Sequence, residues 1–315
     1  MTLGASYQYY HLKPMFETLA STGYQGDFVF FYTDLSPKTL KKLEKYPYTL
    51  IPYNYQYPYV DDGKIIEVLT EAPDFTPHPK TLRYLLYNAY LKAYNDKYDK
   101  VFIGDCRDLV FQKAPFEGFE LSGLHCFEED RVERIGTNFF NSLWIKEAFG
   151  EQTLLEIAEK PIICSGTTYG SLLAMIDYTE LMIETIKKVR DHGCKDQGIH
   201  NYLIHTNKLP NVMLHQDDNG PVSTLSLFKP YGSIRINDKL LVIDQTDNVI
   251  NIVHQYDRHW GLLWKYNKRA FIKKKVDYLK QFLLAIKKNR KISRLYLSNL
   301  RSIFMDPMVK KYDWD

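Results

Sequence analysis

Cysteine is scarce in this chain, four residues in 315, and none stands in a C-x-x-C pair. Cys106, Cys126, Cys164 and Cys194 are too dispersed for a structural zinc pattern, and isolated thiols point to a reducing cytoplasm. No basic–apolar–small stretch of the secretory kind opens the sequence, and no apolar run approaches the length of a membrane span. Phe28–Tyr32 and Phe282–Ile286 are short runs of the sort that sit inside a fold. There is no internal repeat and no low-complexity linker. Acid is nearly missing from one region: between Lys265 and Arg301, 13 Lys or Arg face Asp277 alone.

That last scarcity divides the molecule electrically. The 265–301 stretch carries +12 within a chain whose net charge is +3, so the remainder is acidic, at −9. A basic tail on an acidic body points to an anionic partner surface, membrane or nucleic acid. Hydrophobic and charged contents of 45% and 25% are those of an ordinary globular protein, and the length suits one large α/β domain or two smaller ones. The 25 tyrosines and 17 phenylalanines stand out. Aromatic faces suit sugar rings and nucleobases, and tyrosines also serve as large core residues with a polar tip.

The amino-terminal third alternates. Thr2–Tyr7 is a brief strand, Tyr10–Ser21 has helical spacing, and Asp27–Tyr32 is a continuous apolar strand of the kind covered on both faces. Ser36 followed by Pro37 opens a helix, and residues 46–79, rich in Tyr, Pro and Asp, suggest an irregular excursion. Pro79–Asp96 keeps Leu82, Leu85, Leu86, Ala89, Tyr90 and Ala93 on one helical face and leads into a strand at 101–104. Such helix-to-strand units build parallel sheets.

Further strands are predicted at Leu121–Phe127 and Phe139–Ile145. Cys164–Ser171 is expected to be a turn feeding a helix from Leu172 to about Arg190. A break at 191–198 precedes a short helix over Ile199–His205. Short strands follow at 211–215, 222–227, 241–245 and Val249–His254. Beyond Trp264 the spacing of Ala270, Val276, Leu279, Phe282, Leu283 and Ile286 describes a basic amphipathic helix.

Asp105-Cys-Arg-Asp108, where the 101–104 strand breaks open, is the most informative motif. Acids at the carboxyl edge of an α/β sheet stand where ligands bind, and paired carboxylates there can hold a hard cation and, through it, a diphosphate. The same residues also suit a capped turn in which Asp105 pairs with Arg107 at the surface. Successive strand residues point oppositely, so Asp105 and Asp108 converge only if the strand has ended in a turn. His254, at the end of the Val249–His254 strand, is either a hydrogen-bonded strand-end residue or a third ligand; two carboxylates with an imidazole suit Mn²⁺.

The helix ending in Tyr98-Asp99, the strand and the motif Asp105-x-Arg-Asp-x-x-Phe-Gln-x-x-Pro-Phe116 together resemble nucleotide-sugar-dependent glycosyltransferases of the GT-A fold. Cys164-Ser-Gly-Thr-Thr-Tyr-Gly-Ser171, Asp196-Gln197 with Asn201, and Val253-His-Gln-Tyr-Asp-Arg-His259 follow in the order such enzymes show. The nearest likeness is to bacterial or viral enzymes that build capsule or lipopolysaccharide glycans.

The resemblance implies a Rossmann-like α/β domain over 1–262, with a mixed, mostly parallel central sheet flanked by helices, and a basic helical appendage over 263–315. It implies that Leu3, Gly4 and Ala5 with Tyr32, Thr33 and Asp34 cradle the nucleobase and ribose, and that Arg83 reaches the donor sugar or phosphates. Asp105, Asp108 and His254 would hold Mn²⁺ or Mg²⁺. Arg107 stands where a second acid is usual; it would neutralise phosphate or hold the acids in place. Ser165 and Gly166 would face the donor, or simply begin a capped helix. Asp196 and Gln197 would face the acceptor, with Asp196 a base in an inverting reaction or a stabiliser in a retaining one. The expected partners are a UDP-sugar, by analogy, a glycan or lipid-linked glycan, and an anionic membrane surface met through 265–301. The setting implied is cytoplasmic, peripheral to the inner membrane face.

Two other readings stand beside this one. A nucleic-acid-binding protein would interleave basic and aromatic residues over its binding surface, whereas here the basic residues gather in the tail, and no nucleic acid is expected. A sugar-nucleotide pyrophosphorylase would carry a Gly-rich basic loop that Met1–Tyr10 lacks.

Overall fold

The computed structural model describes residues 1–53, 75, 77–129, 132–191, 193, 195–216, 219–226 and 234–287, with the backbone alone for 278 and 281–287. The first strands are β1 (Thr2–Ala5), β2 (Val29–Thr33) and β3 (Thr49–Pro52), linked by α1 (Tyr9–Ser21) and α2 (Pro37–Leu43). Next come α3 (Pro79–Ala93), β4 (Lys100–Gly104), β5 (Leu109–Phe111), β6 (Leu124–Glu128), α4 (Phe139–Phe149) and α5 (Glu151–Ile157). After them stand β7 (Ile163–Ser171), α6 (Leu172–Val189), α7 (Asp196–His205), β8 (Val212–His215), β9 (Val222–Thr224), β10 (Ile252–His254), α8 (Trp260–Tyr266) and α9 (Lys268–Lys287).

The α/β architecture expected from the sequence is present. β1, β2 and β3 pair in parallel, with α1 and α2 as the crossovers such pairing requires. Ser36 Oγ accepts from the amide of Thr39 and Pro37 fills the first turn, so α2 starts where its sequence signals it. β4 adjoins β1: the Met1 amino group donates to Phe102 O at 2.6 Å, and the Gly104 amide to Met1 O at 3.1 Å. On its other side β4 departs from the parallel expectation, running antiparallel to β7 in a sheet ordered β4-β7-β6-β8. A third sheet, β5-β10-β9, pairs β10 antiparallel to β5 and parallel to β9.

Strand alternation divides the core. Val29 and Phe31, Val101 and Ile103 face α3, α6 and α7, while Phe28, Phe30 and Phe102 face Leu12, Phe16 and Leu19 of α1. Each large apolar side chain buried in this way contributes about 1.5–3 kcal/mol. A further cluster joins Val110 and Val253 to Trp260, Leu262, Leu263 and Phe271. Helix α8 therefore runs through position 262, and the start of α9 packs on the same body.

Several expectations are corrected. β3 lies inside the stretch expected to be irregular, because Leu50 and Ile51 find Phe30 and Phe31 as partners; residues 54–74 and 76 of that stretch lie outside the described residues. Phe139–Ile145 is helical, not a strand: Asn138 Oδ1 accepts from the Asn141 amide at 3.0 Å and starts α4, and a short apolar run suits either element. Cys164–Ser171 is not a turn but most of β7, whose nine residues lie between β4 and β6, and Ser171 at its end caps α6, its Oγ accepting from the Ala174 amide. Its Gly and Ser residues have the composition of a turn, yet tertiary pairing overrides composition. Only isolated bridges, Ile236 to Val242 and Ile243 to Val249, occupy the predicted 241–245 strand. No helix among the described residues is long and apolar enough to cross a membrane. The side chains of Phe282, Leu283 and Ile286, residue Cys194, and residues 288–315 lie outside the described residues.

Candidate active site

Three strands deliver the site. β4 ends at Gly104, and the turn that follows swings Asp105 and Asp108 to one side before β5 resumes at Leu109. β7 runs beside β4, with the Asp105 amide donating to Gly166 O at 2.9 Å. β10 pairs with β5 so that His254 stands opposite Leu109, next to Asp108. Gln255 then takes a left-handed backbone, φ 55°, and ends the strand immediately after the imidazole.

Asp105, Asp108 and His254 each turn one ligand atom toward a common point, all within 4.8 Å of one another. His254 Nε2 lies 3.6 Å from Asp105 Oδ2 and 3.7 Å from Asp108 Oδ1, too far for hydrogen bonds, and has no other partner among the described residues although the ring is buried. Its Nδ1 lies 3.4 Å from Cys164 Sγ, an outer contact that fixes the ring orientation. A buried ring nitrogen aimed at two carboxylates fits a divalent cation. Burial opposes charge on His254, yet Cys164, Asp105 and Asp108 together raise its pKa well above the ordinary imidazole value. Bound cation would replace that proton.

Behind this cluster lies Arg83, carried by α3 and almost fully buried. Its Nη1 donates to Asp105 Oδ1 at 2.5 Å, and its Nη2 to Asp196 Oδ2 at 2.8 Å and to Ser165 O at 3.2 Å. Both ends of the fork are thus committed within the protein. Burial would raise the Asp105 pKa, but Arg83 and His254 outweigh it and hold the carboxyl well below its ordinary range. Asp196 is shifted the other way: burial raises its pKa, and Arg83 offsets this only in part. Arg107 is half exposed and pairs with Asp108 at 3.3 Å and Asp257 at 3.4 Å, so it braces the acids.

These residues line one cavity of about 670 Å³. Leu3, Ala5, Arg83, Asp105, Arg107, Asp108, Ser165, Gly166, Asp196, Gln197 and His254 all contribute to its wall. Gly4 does not: its α-carbon is covered by the Phe30 ring and Cys106, so only its neighbours face inward. Tyr32, Thr33 and Asp34 also stand off this wall; Tyr32 packs with the α1-side core, and Asp34 lines a second cavity with Ser6. At the end of β2, Asp34 takes a left-handed backbone, φ 57°.

Glu129, Asn141, Trp144 and Gln255 belong to the same wall without having drawn notice in the sequence. Glu129 follows β6 and accepts from both Gln197 Nε2 (2.9 Å) and Gln255 Nε2 (3.1 Å), joining α7 to the turn after β10. Gly198 allows α7 to close on α4, since a β-carbon there would stand 2.8 Å from Trp144 Cβ. The only sequence signal for Glu129 is an acid at the end of an apolar strand, the pattern that singled out Asp105.

No protein-family model matches the sequence, and no curated protein matches it. Among solved structures, the chain is similar to an active-site mutant of LgtC, with 12% identity and a TM-score of 0.45 over 80% of this chain and 85% of that one. It is also similar to the galactosyltransferase LgtC in complex with donor and acceptor sugar analogues, with 13% identity and a TM-score of 0.44 at the same coverage.

Proposed function

We propose that this protein is a metal-dependent glycosyltransferase that moves a hexosyl group from a UDP-sugar to a hydroxyl of a glycan or lipid-linked glycan. The observation that carries the reading is the meeting of Asp105, Asp108 and His254 on the wall of a cavity that also holds Asp196. Its volume of about 670 Å³ falls in the range of small-molecule and cofactor sites. A divalent cation held by Asp105, Asp108 and His254, preferably Mn²⁺, supplies charge neutralisation for a departing nucleoside diphosphate.

The chain's own residues do the rest. Arg107, with an exposed guanidinium edge, adds positive charge beside the diphosphate. Leu3, Ala5 and Tyr7 offer an apolar and aromatic wall to the nucleoside. Asp196, more basic than an ordinary carboxylate through burial, accepts the acceptor's hydroxyl proton. Gln197, held by Glu129 and Asn141, fixes the acceptor side of the cavity. Arg83 acts through Asp105 and Asp196 rather than on the donor. Most of the acceleration then comes from positioning and electrostatics.

Thermal melts with nucleoside diphosphates and UDP-sugars, with and without Mn²⁺, test binding by mass action. Release of UDP from UDP-sugars tests turnover. Asp108→Ala is expected to lower Mn²⁺-dependent turnover by about two orders of magnitude or more, the loss of several kcal/mol of charge stabilisation, while circular dichroism stays native. Undiminished metal-dependent turnover in the Asp105→Ala, Asp108→Ala and His254→Ala variants would overturn the assignment.

A further inference from the structure

Helix α4 reverses the usual order of a surface helix. It buries Asn141 beside Ile145 and leaves Phe139, Phe140 and Leu143 70%, 60% and 37% exposed. Asn141 is buried for a visible reason: its Nδ2 donates to Asn138 Oδ1 at 3.0 Å, and its Oδ1 accepts from Gln197 Nε2 at 3.3 Å. The phenylalanines face water instead, where large apolar surface is costly. At about 100° per residue, Phe139, Leu143, Phe140 and Trp144 follow one another around the helix over about 140°. The apolar stripe thus turns from solvent toward the side that Asn141 and Ile145 bury. A contiguous exposed patch of this kind marks a binding surface.

The stripe runs into the cavity that holds the metal cluster. Phe140 and Trp144, one turn apart, belong to its wall, while Phe139 and Leu143 continue the surface beyond it. The Phe140 and Trp144 rings stand 5.9 Å apart with 31° between their planes, and Phe139 meets Phe140 edge-on at 5.4 Å. α4 packs on α7, whose Asp196 and Gln197 stand on the same wall. Glu129 and Asn138 border the cavity there as well. Aromatic faces edged by carboxylate and amide groups match a pyranose, whose C–H bonds give it an apolar face and whose hydroxyls lie around the rim. An alkyl chain would use the rings and gain nothing from the polar border.

We propose that Phe140 and Trp144 form a stacking subsite for a pyranose ring of the acceptor, with Phe139 and Leu143 carrying the surface on to the next unit of its chain. This rests on the glycosyltransferase reading and narrows its acceptor to a glycan of at least two sugar units.

Saturation-transfer NMR on the full chain, at saturating UDP and with Mg²⁺ in place of paramagnetic Mn²⁺, tests the subsite. The probes are lactose, cellobiose, maltose and mannobiose, their component monosaccharides, and octyl glucoside. At least one disaccharide is expected to receive saturation on its ring C–H protons, and more strongly than its monosaccharides do. Phe140→Ala, at an exposed position, and Trp144→Ala should each lower that affinity roughly tenfold, and Phe140→Tyr should retain it. Native circular dichroism and a melting temperature that still rises with Mn²⁺ show that the variants are folded. Saturation of no disaccharide, equal saturation in the wild type and both alanine variants, or saturation confined to the octyl chain overturns the proposal; the last would mark a lipid surface. Loss of the disaccharide signal as UDP is added also overturns it, since the rings would then serve the nucleobase. A wild-type melting temperature that responds to neither UDP nor Mn²⁺ is a separate failure, that of the glycosyltransferase reading, and the subsite falls with it.

Discussion

A methyl group added at Gly166 would stand 2.7 Å from both Asp105 Oδ2 and His254 Cε1, closer than carbon atoms tolerate. Of the two neighbours, His254 is fixed by burial and by Cys164, so Asp105 must yield. Gly166→Ala is therefore expected to weaken Mn²⁺ binding roughly 10- to 100-fold, as loss of ligand positioning does, with little change in the secondary structure; titration calorimetry with Mn²⁺ measures it. A second residue sets an acid limit. His200 is fully buried against Tyr178, and burial lowers its pKa from 6.5 to about 3. Below the unfolded value the unfolded chain binds the proton that the native state refuses, so stability falls as pH drops from about 6.5 toward 3. The slope from this one group approaches about 1.4 kcal/mol per pH unit. Urea midpoints should fall between pH 7 and 5, and His200→Leu should reduce the slope by this group's share, leaving that of His259, whose pKa burial lowers to about 4.

At the scale of elements, Asn201 joins α7 to β7 by imitating a strand: its Oδ1 accepts from the Ile163 amide and its Nδ2 donates to Ile163 O, both at 2.8 Å. Asn201→Ala leaves two buried backbone groups without partners, at about 1–3 kcal/mol each. It also loosens the helix that carries Asp196 and Gln197, so denaturant stability and turnover should fall together. What the sequence discloses about elements follows from how local their causes are. α2, with Ser36 and Pro37, and α3, with its apolar stripe, announce themselves because capping and periodicity are local. β7 does not, because Ser165, Gly166, Thr167 and Thr168 become a strand only through β4 and β6 on either side. The candidate site divides in the same way. Asp105 and Asp108 are visible at a strand end, whereas the meeting with His254 depends on β10 lying against β5, some 140 residues away in sequence. Glu129 escapes notice because nothing in its neighbours marks the two glutamines that reach it.

At the scale of the molecule, the small sheet β5-β10-β9 and the large sheets meet at the metal cluster, with Asp108 and His254 at the small sheet and Asp105 at the end of β4. A cation held by all three side chains would tie the two sides together. Hydrogen exchange should therefore slow on adding Mn²⁺ over 252–263 and 105–111 more than over β2 and α1, and EDTA should restore the faster rates. Uniform slowing, or none, would contradict a shared centre. The opposed charge of body and tail, read as two territories in the sequence, is less separate in space: Lys38 and Lys42 of α2 adjoin Lys268 and Arg269 of α9 around one groove.

Arg83 gives the two ends of the large cavity a common ledger of charge. One guanidinium serves both Asp105 and Asp196, so neither carboxylate is independent of the other. When positive charge arrives at Asp105, its hold on Arg83 slackens, and Asp196 gains what Asp105 gives up. The coupling is reciprocal by thermodynamic necessity, and such couplings typically amount to about 1–3 kcal/mol. A molecule settling beside Asp196 thus alters the grip on the cation by the same factor as the cation alters its own. The buried arginine would thus couple the two ends of the cavity in either order of filling.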